Sequence, residues 1–124
     1  MKMVISIAIG GAAGALGRYW MSTWIYGKFG AGFPHGTLAV NVVGSLFMGF
    51  LYILLLERLN LDPMWRGLIL IGFLGAFTTF STFSLETLNL LELRAYDKAA
   101  LNVALSFSLC LLAAWLGMTI GRQL

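Results

Sequence analysis

The chain has 124 residues, 60% of them hydrophobic and 10% charged, with a mean hydropathy of +0.89. A water-soluble domain carries about a quarter charged residues, so that class is excluded. The net charge of +3 comes from scattered lysines and arginines that suit lipid headgroups rather than nucleic acid, and the lone Cys110 excludes an internal disulfide.

Apolar stretches cover residues 3–26, 36–56, 65–91 and 99–121. Each meets the roughly 20-residue length of a helix crossing about 30 Å of hydrocarbon. Residues 1–124 therefore read as one all-α membrane unit of four spans, with no separate soluble domain.

The first stretch opens on Lys2 and the run Val4 to Ile9, which resembles a cleaved signal peptide. The apolar pattern continues through Gly14 and Leu16 to Trp20 and Trp24, so it reads as a retained span. Gly10 and Gly14 form a GxxxG pair that permits close helix approach, taken as support for oligomerisation. A glycine-rich turn follows at residues 27–34. His35 has no His, Cys or carboxylate neighbour in sequence to share a metal. In the second span Asn41 shares a face with Gly44 and Ser45. An amide in hydrocarbon must hydrogen-bond something, protein or solute. Asp62-Pro63 supplies an N-cap and a first-turn proline for the third helix. Trp20, Trp24, Tyr26, Trp65 and Tyr96 fall near span ends and read as an interfacial aromatic belt.

The third span holds the most informative stretch, GFLGAFTTFSTFSLE at residues 72–86. From Thr78 to Ser84 it has five hydroxyls and two phenylalanines, preceded by Gly72 and Gly75. Such a cluster at membrane depth predicts a helix that loosens to line a cavity or bind an ion. Phe80 and Phe83 are neighbours at i, i+3, and Glu86 follows on the next turn. In the fourth span Asn102, Ser106 and Cys110 repeat at four-residue spacing, one polar stripe that ends at Ala114.

Four spans put both termini and the loop at residues 57–66 on one side. That side holds Lys2, Arg58, Arg66 and Arg122; the other holds Arg18, Lys28, Arg94 and Lys98, or three cations if Arg18 lies within span one. A Lys/Arg excess normally sets orientation, and none exists here. The balance predicts insertion both ways and an inverted, dual-topology homodimer.

Amide N–H, hydroxyl O–H and aromatic ring edges can all face an anion, and without a fixed cation they would release it again. Hydroxyls and carbonyls also accept cations, so the sign of the ion stays open, with Arg18 a slight tilt toward anions. No nucleophile–base pair, metal cluster or phosphate loop appears, so the chain does not read as an enzyme. The residues alone point to a small, dimeric ion-conducting protein.

Gly36 to Gly44 (GTLAVNVVG), Gly72-Phe73-Leu74-Gly75, the run TTFSTFS from Thr78 to Ser84 with Glu86, and Gly14 to Arg18 resemble the Fluc (CrcB) fluoride channel family. The resemblance covers essentially the whole chain. It implies an antiparallel dual-topology homodimer, or a pair of complementary subunits, with a broken third helix and two fluoride pores in the cell (inner) membrane. It implies a sodium ion at the dimer interface, held by backbone carbonyls of Gly75 and Thr78. The fluoride path would be lined by Phe80, Phe83, Asn41, Thr79 and Ser106, with Arg18 near a vestibule. The role implied is passive export of fluoride. This chain has Asn102 where some members carry tyrosine, and Cys110 and Ala114 where some carry hydroxyls, so its polar track is differently built. The alternative is a small multidrug-type cation/proton exporter, which needs a membrane-embedded carboxylate. Span one has Arg18 and no acid, which leaves only Glu86 near one end of span three. A non-transporting assembly protein would explain the small-residue faces and not the TTFSTFS cluster.

Overall fold

The computed structural model describes residues 1–124 and is built of helices, with no strand. Helix α1 is Lys2–Phe29, α2 is His35–Arg58, α3 covers residues 63–77, α4 is Phe80–Glu92 and α5 is Tyr96–Gln123. Helices α3 and α4 are two halves of one span, Pro63–Glu92. The segments His35–Arg58, Pro63–Glu92 and Tyr96–Gln123 are long and apolar enough to cross a membrane, with mean hydropathies of 2.2, 1.8 and 2.0. Helix α1 has 28 residues, as many as α5, but its glycines and Arg18 dilute its apolar character. The chain is a multi-pass membrane protein.

The boundaries follow local chemistry. Helix α1 stops at Gly30, whose φ of 78° only glycine adopts freely, and the Gly30 N–H closes onto the Tyr26 carbonyl at 2.8 Å. Asp62 caps α3 by accepting from the Met64 N–H at 2.9 Å, with Pro63 in the first turn, as its sequence predicts. Residues 54–58 and 67–74 form wider, π-helical turns, which the sequence does not mark.

Two backbone-to-backbone crossings hold the bundle. Helix α1 lies on α3 so closely that a Cβ at Gly10 would strike the Leu68 carbonyl and one at Gly14 the Phe73 carbonyl. Helix α2 meets α5 the same way, with Gly49 against the Ala114 carbonyl and Gly117 against that of Leu46. The Gly10–Gly14 pair therefore serves packing inside the subunit, which corrects its reading as a surface for oligomerisation. Lipid offers apolar side chains nearly the environment of a core, so only close approach and dispersion favour these crossings, and small residues supply both. Only 25 of 124 residues are buried, so most apolar side chains point outward, as a bilayer permits.

Candidate ion-binding cavity

The third span breaks at two residues. Thr78 (φ −88°, ψ 157°) and Thr79 (φ −152°, ψ 119°) are extended, and helix resumes at Phe80. The Asn41 side chain holds this break from α2. Its Oδ1 accepts from the Thr79 N–H at 2.7 Å, and its Nδ2 donates to the Thr79 carbonyl at 3.0 Å. The amide thus substitutes for a neighbouring peptide group, satisfying both backbone atoms in a setting where water cannot. In an unbroken helix the Thr79 N–H would close onto the Gly75 carbonyl, and the Thr82 N–H onto that of Thr78. The first is taken by Asn41 and the second by Thr79 Oγ1 at 3.1 Å, which frees the Gly75 and Thr78 carbonyls from those bonds. Thr79 is at once the clamped residue and the N-cap of α4.

Beside the break lies a cavity of about 340 Å³. Asn41 and Ser45 reach it from α2, Thr78 to Phe80 and Phe83 from the third span, and Ser106, Phe107 and Cys110 from α5. Three rings stand together there: Phe80 and Phe83 at 5.2 Å between centroids, Phe83 and Phe107 edge-on at 6.0 Å and 87°. Phe83 is buried whereas Phe80 is 67% exposed on the outer face of the subunit. The start of α4 also opens here, and unpaired N–H groups at a helix N-terminus carry partial positive charge. An amide with one uncommitted N–H, hydroxyl oxygens, aromatic rings and a helix start thus border a cavity that no charged side chain lines.

The structure thus brings Asn41, Thr78, Thr79, Phe80, Phe83 and Ser106 around one cavity. Arg18 and Gly75 do not line it. Arg18 stands on α1, its Nε buried without a hydrogen-bond partner. Phe107 joins the rings unannounced, although its place next to Ser106 on the polar stripe is a signal the sequence did carry.

The family model described as CrcB-like protein, Camphor Resistance (CrcB), matches residues 5–118. The chain belongs to the CrcB family. A Coxiella burnetii (strain Dugway) protein named fluoride-specific ion channel FluC is 55% identical over 122 residues, 98% of each chain. A Methylococcus capsulatus protein of the same name is also 55% identical, over 98% of this chain and 53% of its own, so the chain spans about half that relative's length. A Sulfurihydrogenibium protein so named is 44% identical over the full length of both.

Two further networks brace this CrcB chain. Glu86 accepts from the Thr37 hydroxyl at Oε1 and from the Tyr26 hydroxyl at Oε2, the latter at 2.9 Å. Both hydroxyl protons go to the carboxylate, and the Thr37 N–H donates to the Tyr26 oxygen at 3.3 Å. Tyr26 is thus more than an interfacial anchor, a correction to the belt reading. It ties the end of α1 to α2 and α4. Deeper in, Asn102 is 1% exposed. Its Nδ2 donates to Thr87 Oγ1 at 2.9 Å, Thr87 donates to the Phe83 carbonyl at 2.8 Å, and Ser106 donates to Asn102 Oδ1 at 3.4 Å. Asn102 is the fully buried link between α4 and α5.

Proposed function

We propose that this chain is a fluoride-selective ion channel that lets fluoride leave the cell passively, its pores formed by an inverted, dual-topology homodimer in the cell (inner) membrane. The observation that carries the reading is its 55% identity, over 98% of both chains, to a Coxiella burnetii protein named a fluoride-specific ion channel. The cavity chemistry supports it. Asn41 spends one N–H on Thr79 and has a second to offer, and the Phe80 and Phe83 rings line the same space. Fluoride is small and strongly hydrated, so its water must be replaced by several donors at close range. A larger halide would gain less from each donor and would meet the rings first. With no charged side chain lining the cavity, the site binds weakly enough for the ion to leave.

The carbonyls of Gly75 and Thr78 fit a sodium ion, since hard cations take oxygen donors and broken membrane helices offer them as carbonyls. The Thr79 carbonyl is engaged by Asn41 and would not contribute. Such an ion would supply a fixed positive charge where two antiparallel copies meet, four carbonyls in all. With Arg18 inside α1 the cations number four on one side and three on the other, still no strong bias, which supports the inverted pairing. The exporter alternative loses ground because Glu86, its only deep carboxylate, is held by Tyr26 and Thr37 at one end of the bundle. The test is fluoride release from liposomes holding the purified chain, followed with a fluoride electrode and with chloride as control. Release of fluoride alone supports the reading. No release, or cation-driven dye efflux, removes it.

A further inference from the structure

A second cavity, of about 450 Å³, opens between α4, the start of α5 and the loop at residues 30–34. Glu86 and Asn89 line it from α4, Lys98 from α5, Gly32 from the loop and Tyr26 from α1. It lies further along the same two helices than the first cavity. On α5, Lys98 lies two turns before Ser106, about 12 Å along the axis, and Asn102 sits midway between them. On α4, Phe83 faces the first cavity and Glu86 the second, with Thr87 beside Asn102. The hydrogen-bonded pair Thr87–Asn102 lies between the two spaces along these helices and lines neither.

The charges of the second cavity are unequal in availability. Glu86 directs its oxygens to Tyr26 and Thr37. Lys98 makes no ion pair: the chain's one salt bridge is Arg122 to Glu57, far along the sequence. Asp97 follows Tyr96 in the first turn of α5 but does not line the space. A Cβ built on Gly32 would lie 3.9 Å from Lys98 Nζ, so the ammonium leans across the loop at the cavity rim. A free ammonium at the rim and an engaged carboxylate inside make a place that collects small anions without holding them.

We infer that this second cavity is the mouth of the conduction path, in which Lys98 concentrates hydrated monovalent anions that then pass the Thr87–Asn102 pair to the phenylalanine-lined cavity. The inference rests on the channel reading above. A charge at a cleft mouth raises local counter-ion concentration, and salt screens it.

The experiment measures fluoride efflux from liposomes containing the full chain as wild type, Lys98→Arg, Lys98→Gln and Lys98→Glu. An impermeant salt on both sides sets the ionic strength at about 10 mM or about 1 M, where screening lengths are roughly 30 and 3 Å. The mouth predicts wild-type efflux for Lys98→Arg, roughly 3-fold less for Lys98→Gln and roughly 10-fold less for Lys98→Glu at low salt. At high salt all four should fall within about twofold. Equal efflux of all four at low salt overturns the mouth while leaving the channel standing. So does a loss in Lys98→Gln that is the same at both salts, since that is structural damage. Absence of fluoride release from the wild type overturns the channel reading and the mouth with it.

Discussion

Replacing Asn41 with leucine, similar in size and unable to hydrogen-bond, tests whether the break in the third span is held from α2. The substitution removes two bonds at once, from the Thr79 N–H at 2.7 Å and to the Thr79 carbonyl at 3.0 Å. Each backbone group left unpaired away from water costs about 1–3 kcal/mol, so the broken conformation should lose about 2–6 kcal/mol. The chain has an escape: Thr79 can turn back into helix and return its N–H to the Gly75 carbonyl. Either way the cavity loses its shape, and a factor of ten in population costs only about 1.4 kcal/mol. Fluoride efflux from liposomes should fall at least 10-fold, with the protein still eluting as one species from a sizing column. Asn41→Asp keeps the acceptor for Thr79 N–H but sets a carboxylate against a carbonyl and the ion, so it should conduct poorly as well. Efflux in Asn41→Leu within twofold of wild type would refute the clamp.

Phe80→Ile and Phe83→Ile should each lower fluoride efflux while the protein elutes from a sizing column as the wild type does, because isoleucine fills the space without a positive ring edge; unchanged efflux in both would remove the rings from the path. Gly14→Leu should destabilise the fold by about 3 kcal/mol or more, since its Cβ meets the Phe73 carbonyl backbone, whereas Ala12→Leu on the exposed face of the same helix should be tolerated; thermal melts in detergent compare them. Thr37→Val and Tyr26→Phe should each cost about 1.5–3 kcal/mol, the range for a hydrogen bond to a charged group, and the double variant should be non-additive because both act on Glu86.

Much of this fold is legible in the residues. Length and hydropathy mark the spans, Asp62-Pro63 starts the third, and the hydroxyls after Gly75 mark where it fails. The extent of that failure is less legible. Only Thr78 and Thr79 leave the helix, while Ser84 and Thr87 bond back to the carbonyls four residues earlier in regular α4. A run of Ser and Thr looks the same whether it breaks a helix or decorates one. The Asn41–Thr79 clamp spans 38 positions and the Tyr26–Glu86 tie spans 60; no periodicity along one helix encodes such pairs. The GxxxG pair announces a close crossing but not its partner, which is α3 of the same chain. Asn102 shows the same limit: its spacing from Ser106 is plain, its bond to Thr87 is not.

The most direct test of the central claim is the reversal potential of current through the purified chain in a planar bilayer, with a fluoride gradient and chloride, sodium and pH matched on both sides. A passive fluoride-selective path predicts reversal at the fluoride equilibrium potential, unmoved when a chloride gradient is added. Reversal that follows chloride, sodium or protons, or no current at all, would contradict it.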